Sequence, residues 1–223
     1  MIRFGFVLSC YRHCGYVNEC VQSILDQDAD VQIVLYADHP DCSMDVNDSR
    51  VTVIRDGERR GQVARINAGV RLLDTDYVSF MGVDDYLAPY ALLLMAKKME
   101  DTGRNIWYYG GHKQLDISTG IVKEWPAKAF DLKRLQEKMY IASGAAFIRR
   151  DMMCSMMLYT VAGLGADRIL LYRIGFSFDP VVMDFPVYVE RIGTGRVRRR
   201  GIVRVQRMLI NLYLRWWTWA ETR

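Results

Sequence analysis

The sequence lacks any uninterrupted apolar run of about 18 residues, the minimum that a membrane-spanning helix needs. Residues 1–4 lead directly into a strand-like segment instead of a basic region and an apolar stretch, so we expect no secretory signal. No segment is of low complexity, which excludes a wholly disordered chain. These absences predict a cytoplasmic protein that at most lies against the inner face of a membrane.

The chain has few cysteines, and their number is odd. The five cysteines lie at positions 10, 14, 20, 42 and 154 of the 223 residues. An odd number in a chain long enough to bury a core favours reduced thiols over a disulfide framework. Cys10, Cys14 and Cys20 cluster around His13, but their spacing matches no zinc pattern, so we expect no metal site there.

The net charge of +4 conceals an asymmetry between the body and the C-terminal segment. Residues 191–223 carry nine Arg and one Glu, a charge of +8, which leaves −4 for the other 190 residues. Within this segment the polar side chains recur at helical spacing and form one stripe, at Arg200, Arg204, Arg207, Asn211 and Arg215. The pattern predicts a basic amphipathic C-terminal helix within 191–223.

The sequence leaves three interpretations of this helix open. It packs on the body or on a partner subunit, with its arginines in solvent. Alternatively, it lies in a membrane interface, with tryptophans at headgroup depth and arginines on anionic lipid. In the third interpretation Arg200, Arg204 and Arg207 contact nucleic-acid phosphates, which would suit a transferase that acts on a modified base in DNA.

The first hundred residues alternate between strand and helix patterns. Period-two or continuous apolar segments predict strands over 2–8, 31–37, 51–54 and 77–81. Helical spacing predicts helices over 16–25, 63–73 and 88–100. This order predicts an α/β fold whose sheet is mostly parallel and covered by helices on both faces. Farther along, we expect a hairpin of 107–110 with 121–125, a strand over 142–148 and a helix over 164–172.

Asp84 and Asp85 follow directly after the predicted strand 77–81. Ligands of such sheets bind beyond the carboxyl ends of the strands. Two adjacent carboxylates repel each other, so they persist most easily where a cation or hydrogen-bond donors compensate. Mg²⁺ or Mn²⁺ bound there would leave coordination positions for phosphate. The alternative is an Asp-Asp turn that caps the helix beginning near Pro89.

Six segments in order resemble the family 2 glycosyltransferases of the GT-A fold. Residues 9–11 (SCY) are similar to the family's T/P-x-Y, and residues 23–27 (SILDQ) to its S-I-L-x-Q. Residues 61–69 (GQVARINAG) resemble G-K-x-x-A-L-N-x-G, and residues 80–89 (FMGVDDYLAP) resemble L-D-x-D-D-x-x-x-P after an aromatic residue. Residues 143–150 (SGAAFIRR) look like the acceptor-side strand, and residues 165–167 (GAD) like G-E-D.

The resemblance implies a single Rossmann-like GT-A domain over 1–190, with a nucleotide-sugar-binding half (1–100) and an acceptor-binding half (101–190). It implies an inverting glycosyltransferase of the hexosyltransferase type that uses a nucleoside-diphosphate sugar, with UDP as the expected nucleotide. The donor site would comprise Ser9, Tyr11, Asp38, Arg60 or Arg65, Asn67 and Asp84. Asp84 and Asp85 would bind Mg²⁺ or Mn²⁺, and Asp167 would be the general base.

Four positions depart from the family pattern. Gly82 replaces the first Asp of D-x-D, and Gly193 stands where relatives often have a metal-binding His. Ala37 and Ala166 replace further acidic residues. The resemblance therefore implies a site with few metal-binding carboxylates, at which the metal is either weakly bound or optional.

The acceptor side offers fewer signals. Trp125 is a candidate for stacking on an acceptor sugar or base, and His112 is a second candidate for a catalytic role. The expected acceptor is a hydroxyl on a glycan, on a lipid-linked glycan or on a hydroxylated base in DNA. Two alternatives remain: a nucleotidyltransferase of related fold, and an inactive relative that binds nucleic acid or membranes. The sequence also leaves oligomerisation open.

Overall fold

The structure is a computed structural model that describes residues 1–10, 14–37, 47–55, 61–158, 165–194 and 200–222, without the side chains of residues 14 and 200–206. The predictions on Tyr11, Asp38 and Arg60, and those on the side chains of Arg200 and Arg204, lie outside the described residues.

The described residues form an α/β fold. Its strands are β1 (Arg3–Cys10), β2 (Asp30–Ala37), β3 (Val51–Ile54), β4 (Tyr77–Gly82), β5 (Tyr86–Leu87), β6 (Trp107–Asp116), β7 (Val122–Trp125), β8 (Ala146–Arg149) and β9 (Val181–Ile192). Its α-helices are α1 (Val17–Leu25), α2 (Gly61–Leu72), α3 (Ala91–Asp101), α4 (Leu132–Glu137), α5 (Arg150–Met156), α6 (Ala166–Ser177) and α7 (Arg200–Glu221).

The strands of the described chain form one sheet in the order β3-β2-β1-β4-β8-β6-β9-β5, with β7 paired to β6. Strands β1 to β4 pair in parallel, as expected for strands joined through a helix, such as α1 between β1 and β2 and α2 between β3 and β4. Strand β8 is antiparallel to both β4 and β6, β7 is antiparallel to β6, and β5 is antiparallel to β9. The prediction of a mostly parallel sheet is therefore wrong, because the sheet is mixed. The reason is that hairpins and returning strands of the second half need no helical crossover.

Apolar residues cover both faces of the sheet, because β1 and β2 are buried on both sides. Phe4, Phe6 and Leu8 belong to one apolar cluster with helices α1 and α3, and Val7 belongs to the other with α2 and α6. A side chain at Gly69 would lie 2.7 Å from Val7 Cγ1, so this glycine lets α2 pack directly on β1. The close packing fixes the strand ends at which a ligand would bind.

Helix α7 occupies the C-terminal segment and packs with one face on the body. Ile210 and Leu214 are buried, and the Trp217 ring meets Phe176 edge-on at 5.2 Å between centroids. Its predicted basic amphipathic character stays a prediction. Within the described residues, none of the helices combines the length and the apolarity that crossing a bilayer requires.

Candidate active site

The ends of β1 and β4 bring two of the predicted donor residues, Ser9 and Asp84, to one edge of the sheet. The two strands are parallel, and Ser9 pairs with Gly82, so both end at the same level. On the other side of β1, Cys10 pairs with Ala37, the last residue of β2. Ser9 therefore lies beside the segment that carries Asp84 and Asp85, at the edge where such sheets bind ligands.

The turn after β4 is held by strand β9 and does not cap helix α3. Asp85 is 4% exposed, and its Oδ1 accepts a hydrogen bond of 3.0 Å from the Arg191 backbone N–H. The Thr194 hydroxyl donates to Asp84 Oδ2 at 3.2 Å. Helix α3 instead begins after Tyr90, which adopts a left-handed conformation with φ of 60° and makes no side-chain capping bond. The capping alternative is thus not what positions these carboxylates.

The Arg191 guanidinium closes the turn from the side of helix α1. It is 3% exposed, donates to the Asp84 backbone oxygen at 2.8 Å, and pairs with the Glu19 carboxylate. Its central carbon lies 4.4 Å from the ring centroids of both Tyr16 and Tyr86, a cation–π arrangement on two sides. Arg191 was not predicted from the sequence; the available signal was the charged pair Glu190-Arg191 near the end of a mostly apolar strand.

The two carboxylates suit a divalent ion that takes only a few of its ligands from the protein. A carboxylate has about four acceptor positions, so Asp85 and Asp84 can bind an ion while they also accept hydrogen bonds such as those from Arg191 and Thr194. Mg²⁺ is commonly bound by one or two carboxylates together with phosphate and water oxygens. Among the described residues there is no group of three or more His, Cys, Asp or Glu that could hold a metal by itself.

Helix α2 carries two further candidates. The Asn67 amide donates to the Leu158 backbone oxygen and accepts from the Leu158 N–H, both at 2.7 Å, which ties α2 to the segment after α5. Arg65 is buried on the same helix. The structure thus gives Asn67 a structural role, and the predicted contacts of both residues to the donor stay predictions.

Asp167 lies in the first turn of helix α6 and is partly buried. The helix starts after Gly165, which has φ of 79°, and Asp167 Oδ1 accepts the Arg168 N–H at 2.8 Å. Burial raises the pKa of the Asp167 carboxyl above its ordinary value, and the hydrogen bonds from the backbone offset part of that rise. A carboxylate with a raised pKa is a stronger proton acceptor, which suits a general base.

Strands β7, β6 and β9 place two rows of side chains across one face of the sheet. The first row contains Trp125, His112 and Tyr188, and the second contains Lys123, Gln114 and Glu190. We call these six residues the hairpin shelf. The hairpin, Trp125 and His112 were predicted from the sequence. Their partners on β9 were not, because the pairing of β9 with β6 leaves no local signal.

The first row of the hairpin shelf is a stack of aromatic rings. The His112 ring lies 6.4 Å from Trp125 with an interplanar angle of 10°, and 5.7 Å from Tyr188 with an angle of 30°. Trp125 is 46% exposed, whereas Tyr188 is buried. The stack therefore runs from the surface into the core.

Hydrogen bonds fix the orientation of these side chains. The Trp125 indole N–H donates to Gln114 Oε1 at 2.9 Å, and Gln114 Nε2 donates to Glu190 Oε2 at 2.8 Å. His112 Nε2 lies 4.0 Å from the same Glu190 oxygen. Burial lowers the pKa of His112 despite the nearby carboxylate, so the imidazole is neutral at pH 7.

The family model for glycosyl transferase family 2 matches residues 6–155 of the chain. This segment contains Ser9, Asn67, Asp84, Asp85 and Trp125 and ends before Asp167. No curated protein sequence is significantly similar to the chain.

Solved structures of glycosyltransferases share the fold. TarS of S. aureus (residues 1–349) matches with a TM-score of 0.65 and 14% identity, over 85% of this chain and 60% of TarS. The structure of TarS 1–349 in complex with UDP-GlcNAc matches with a TM-score of 0.65 and 16% identity, over 85% of this chain and 58% of that chain. The mannosyltransferase PcManGT of Pyrobaculum calidifontis, in complex with GDP-Man and Mn²⁺, matches with a TM-score of 0.57 and 16% identity. The match covers 92% of this chain and 61% of the PcManGT chain. The chain thus spans about three fifths of the length of the TarS 1–349 and PcManGT chains in these structures, and 37% of the longer TarS chain.

Proposed function

The chain belongs to glycosyl transferase family 2, and on that premise we propose that it transfers a sugar from a UDP-sugar to an acceptor hydroxyl with inversion at the anomeric carbon. The observation that carries this proposal is the turn Asp84–Asp85, which β9 holds at the edge where β1 and β4 end. The similar fold of TarS, whose structure contains UDP-GlcNAc, supports a UDP-sugar, whereas GDP-Man in PcManGT makes a GDP-sugar the competing donor.

Asp85 and Asp84 would hold Mg²⁺ or Mn²⁺ beside the diphosphate. When bound there, the ion supplies positive charge that stabilises the departing nucleotide. The Mn²⁺ in the PcManGT structure supports this choice of ion. With only two carboxylates contributed by the described residues of this turn, we expect a weak site that is filled at millimolar but not at trace metal concentrations.

Asp167 would remove the proton from the acceptor hydroxyl as that oxygen attacks the anomeric carbon. The new bond forms between the acceptor oxygen and the sugar while the bond to the diphosphate breaks. One base on the acceptor side, without an enzyme nucleophile, gives inversion. The raised pKa of Asp167 makes its carboxylate a stronger proton acceptor than an ordinary Asp.

The hairpin shelf would bind the acceptor ring. Trp125 exposes 46% of its surface, and its indole is oriented by the bond to Gln114, so it offers a rigid apolar platform. Gln114 and Glu190, in the second row of the hairpin shelf, provide polar atoms next to this platform. A sugar ring has apolar faces and hydroxyl edges, which match a platform of this composition. The same surface would stack a hydroxylated base, so both acceptor types remain within the proposal.

The decisive test is a donor assay with two substitutions and one control. Asp85→Asn and Asp167→Asn should each lower nucleoside-diphosphate release and transfer by at least about a hundredfold, because each removes a charge that the reaction uses. Asp101→Asn changes an exposed carboxylate at the end of α3 and should leave the rate unchanged. A panel of UDP- and GDP-sugars analysed by mass spectrometry would identify the donor.

Full activity in both Asp85→Asn and Asp167→Asn would refute the proposed mechanism. Release of pyrophosphate in place of a nucleoside diphosphate would identify a nucleotidyltransferase. If the wild-type protein consumes no donor of the panel with either ion present, the chain is an inactive relative. Far-UV circular dichroism of each variant would establish that the fold is retained.

A further inference from the structure

Helix α7 has a second apolar face that points away from the body. Ile210 and Leu214 are buried on its inner side, and Trp217 packs there against Phe176. On the opposite side, four large apolar side chains are each more than half exposed: Met208, Leu212, Trp216 and Trp219. We call these four residues the outer stripe.

The outer stripe follows one line along the helix. Its members are spaced by four, four and three residues, which is the spacing of neighbours on a single helical face. At 1.5 Å per residue it is about 17 Å long. Exposed apolar side chains scattered singly are ordinary, but a contiguous line that contains two tryptophans indicates a surface that contacts something apolar.

Exposed arginines flank the outer stripe on one side. At 100° per residue, Arg207 and Arg215 lie between the inner face and the stripe, and both are exposed. Together with Met208, Asn211 and Leu212 they line a shallow surface groove of about 330 Å³. Cationic and apolar side chains therefore meet along one edge of α7.

This combination of charges and apolar groups discriminates between partners. Nucleic acid would neutralise the arginines but leave the tryptophans of the outer stripe in water. A second copy of α7 would cover the apolar side chains but would bring arginines of like charge together. An anionic lipid surface satisfies both, because tryptophan rings lie at headgroup depth while arginines contact lipid phosphates.

We propose that α7 docks the protein on an anionic membrane surface through the outer stripe, with Arg207 and Arg215 on lipid headgroups. The helix would lie in the plane of the interface without crossing the bilayer. This inference is independent of the proposed transfer reaction, because none of its residues belongs to the turn at Asp84, to Asp167 or to the hairpin shelf.

The test is binding of the full chain to vesicles. Wild-type protein should co-sediment with vesicles of phosphatidylcholine and phosphatidylglycerol at low salt, and much less with phosphatidylcholine alone. The double variant Trp216→Ser/Trp219→Ser should bind about tenfold more weakly for each ring lost. Arg215→Gln should weaken binding to the anionic vesicles and reduce its dependence on salt.

A matched control is Leu93→Ser/Leu94→Ser, which removes two exposed apolar side chains from helix α3 and should bind vesicles as wild type does. Circular dichroism and donor hydrolysis would establish that the tryptophan variant is folded. Four outcomes would overturn the inference. These are no binding to anionic vesicles at low salt, binding that is unaffected by the tryptophan variant, stronger binding to duplex DNA than to the vesicles, and a wild-type dimer that the tryptophan variant converts to a monomer in analytical ultracentrifugation.

Discussion

At the scale of a single residue, Asp167 places a charge where folding disfavours it. Burial raises its pKa, so the folded state holds the proton more tightly than the unfolded chain does. Between about pH 4, the value of an unfolded Asp, and the raised pKa of the folded state, the folded protein binds more protons. The free energy of unfolding that this residue contributes therefore decreases as the pH rises through this window.

Asp167→Asn should remove this pH dependence. The amide oxygen can still accept the Arg168 N–H, and no buried charge remains. We expect the variant to be as stable as wild type at pH 4 and more stable at pH 7, while its transferase activity is lost. Urea unfolding of both proteins at a series of pH values measures the difference. A variant that is less stable than wild type at pH 7 would contradict the stated cause.

The candidate residues that were predicted from the sequence belong to short motifs of neighbouring residues. Asp84, Asp85 and Asp167 were named from short motifs, and the structure places the first two at the predicted edge of the sheet. The sequence did not predict the residues that hold them. Arg191 meets Asp85 across 106 positions of the chain, and such a contact depends on tertiary packing rather than on any local period.

At the scale of an element, the hairpin of β6 and β7 depends on a missing side chain. A Cβ at Gly111 would lie 2.7 Å from the Trp125 backbone oxygen and 3.1 Å from the Ala127 backbone nitrogen. Because both neighbours are backbone atoms, relief requires the end of β7 to move. Gly111→Ala should therefore displace Trp125 and lower the free energy of unfolding by about 2 kcal/mol.

Gly15→Ala is the matched control for this substitution. A Cβ at Gly15 meets nothing within 4 Å, so its effect should stay within about 0.5 kcal/mol. Urea denaturation gives both values, and an acceptor assay should show a raised KM for Gly111→Ala alone. Equal stabilities of the two variants would mean that the hairpin adapts to the added methyl group.

Elements were predicted better than their pairing. The hairpin and most helices and strands lie where periodicity placed them, because periodicity reports which face of a segment is buried. The direction of pairing depends on how the chain returns to the sheet. After residue 101 the strand-helix alternation ends, and β8 enters antiparallel beside β4. A pattern learned from the first hundred residues therefore gave the wrong sheet for the rest.

At the scale of the whole molecule, α7 belongs to the same cooperative unit as the sheet. Leu214 is fully buried in the apolar cluster that also contains Val7 and Ile169. Leu214→Ala should lower the free energy of unfolding of the entire domain by about 3 kcal/mol, through lost burial and a residual cavity. Leu212→Ala, on the exposed side of the same helix, should change it by less than about 0.5 kcal/mol.

Denaturation followed by tryptophan fluorescence and by far-UV circular dichroism would measure both effects. The two probes should report one coincident transition in each variant, because the two apolar clusters lie on opposite faces of one sheet. A separate early transition in Leu214→Ala would mean that α7 unfolds on its own.

The contacts of Arg191 with the Asp84–Asp85 turn also determine when this turn can be held in place during synthesis. When the ribosome has just added Asp85, the 106 residues up to Arg191 still have to be added. During that interval neither β9 nor the guanidinium is present to hold the two carboxylates. We therefore expect a nascent chain to form the proposed donor site only after β9, the last strand of the described chain, has entered the sheet.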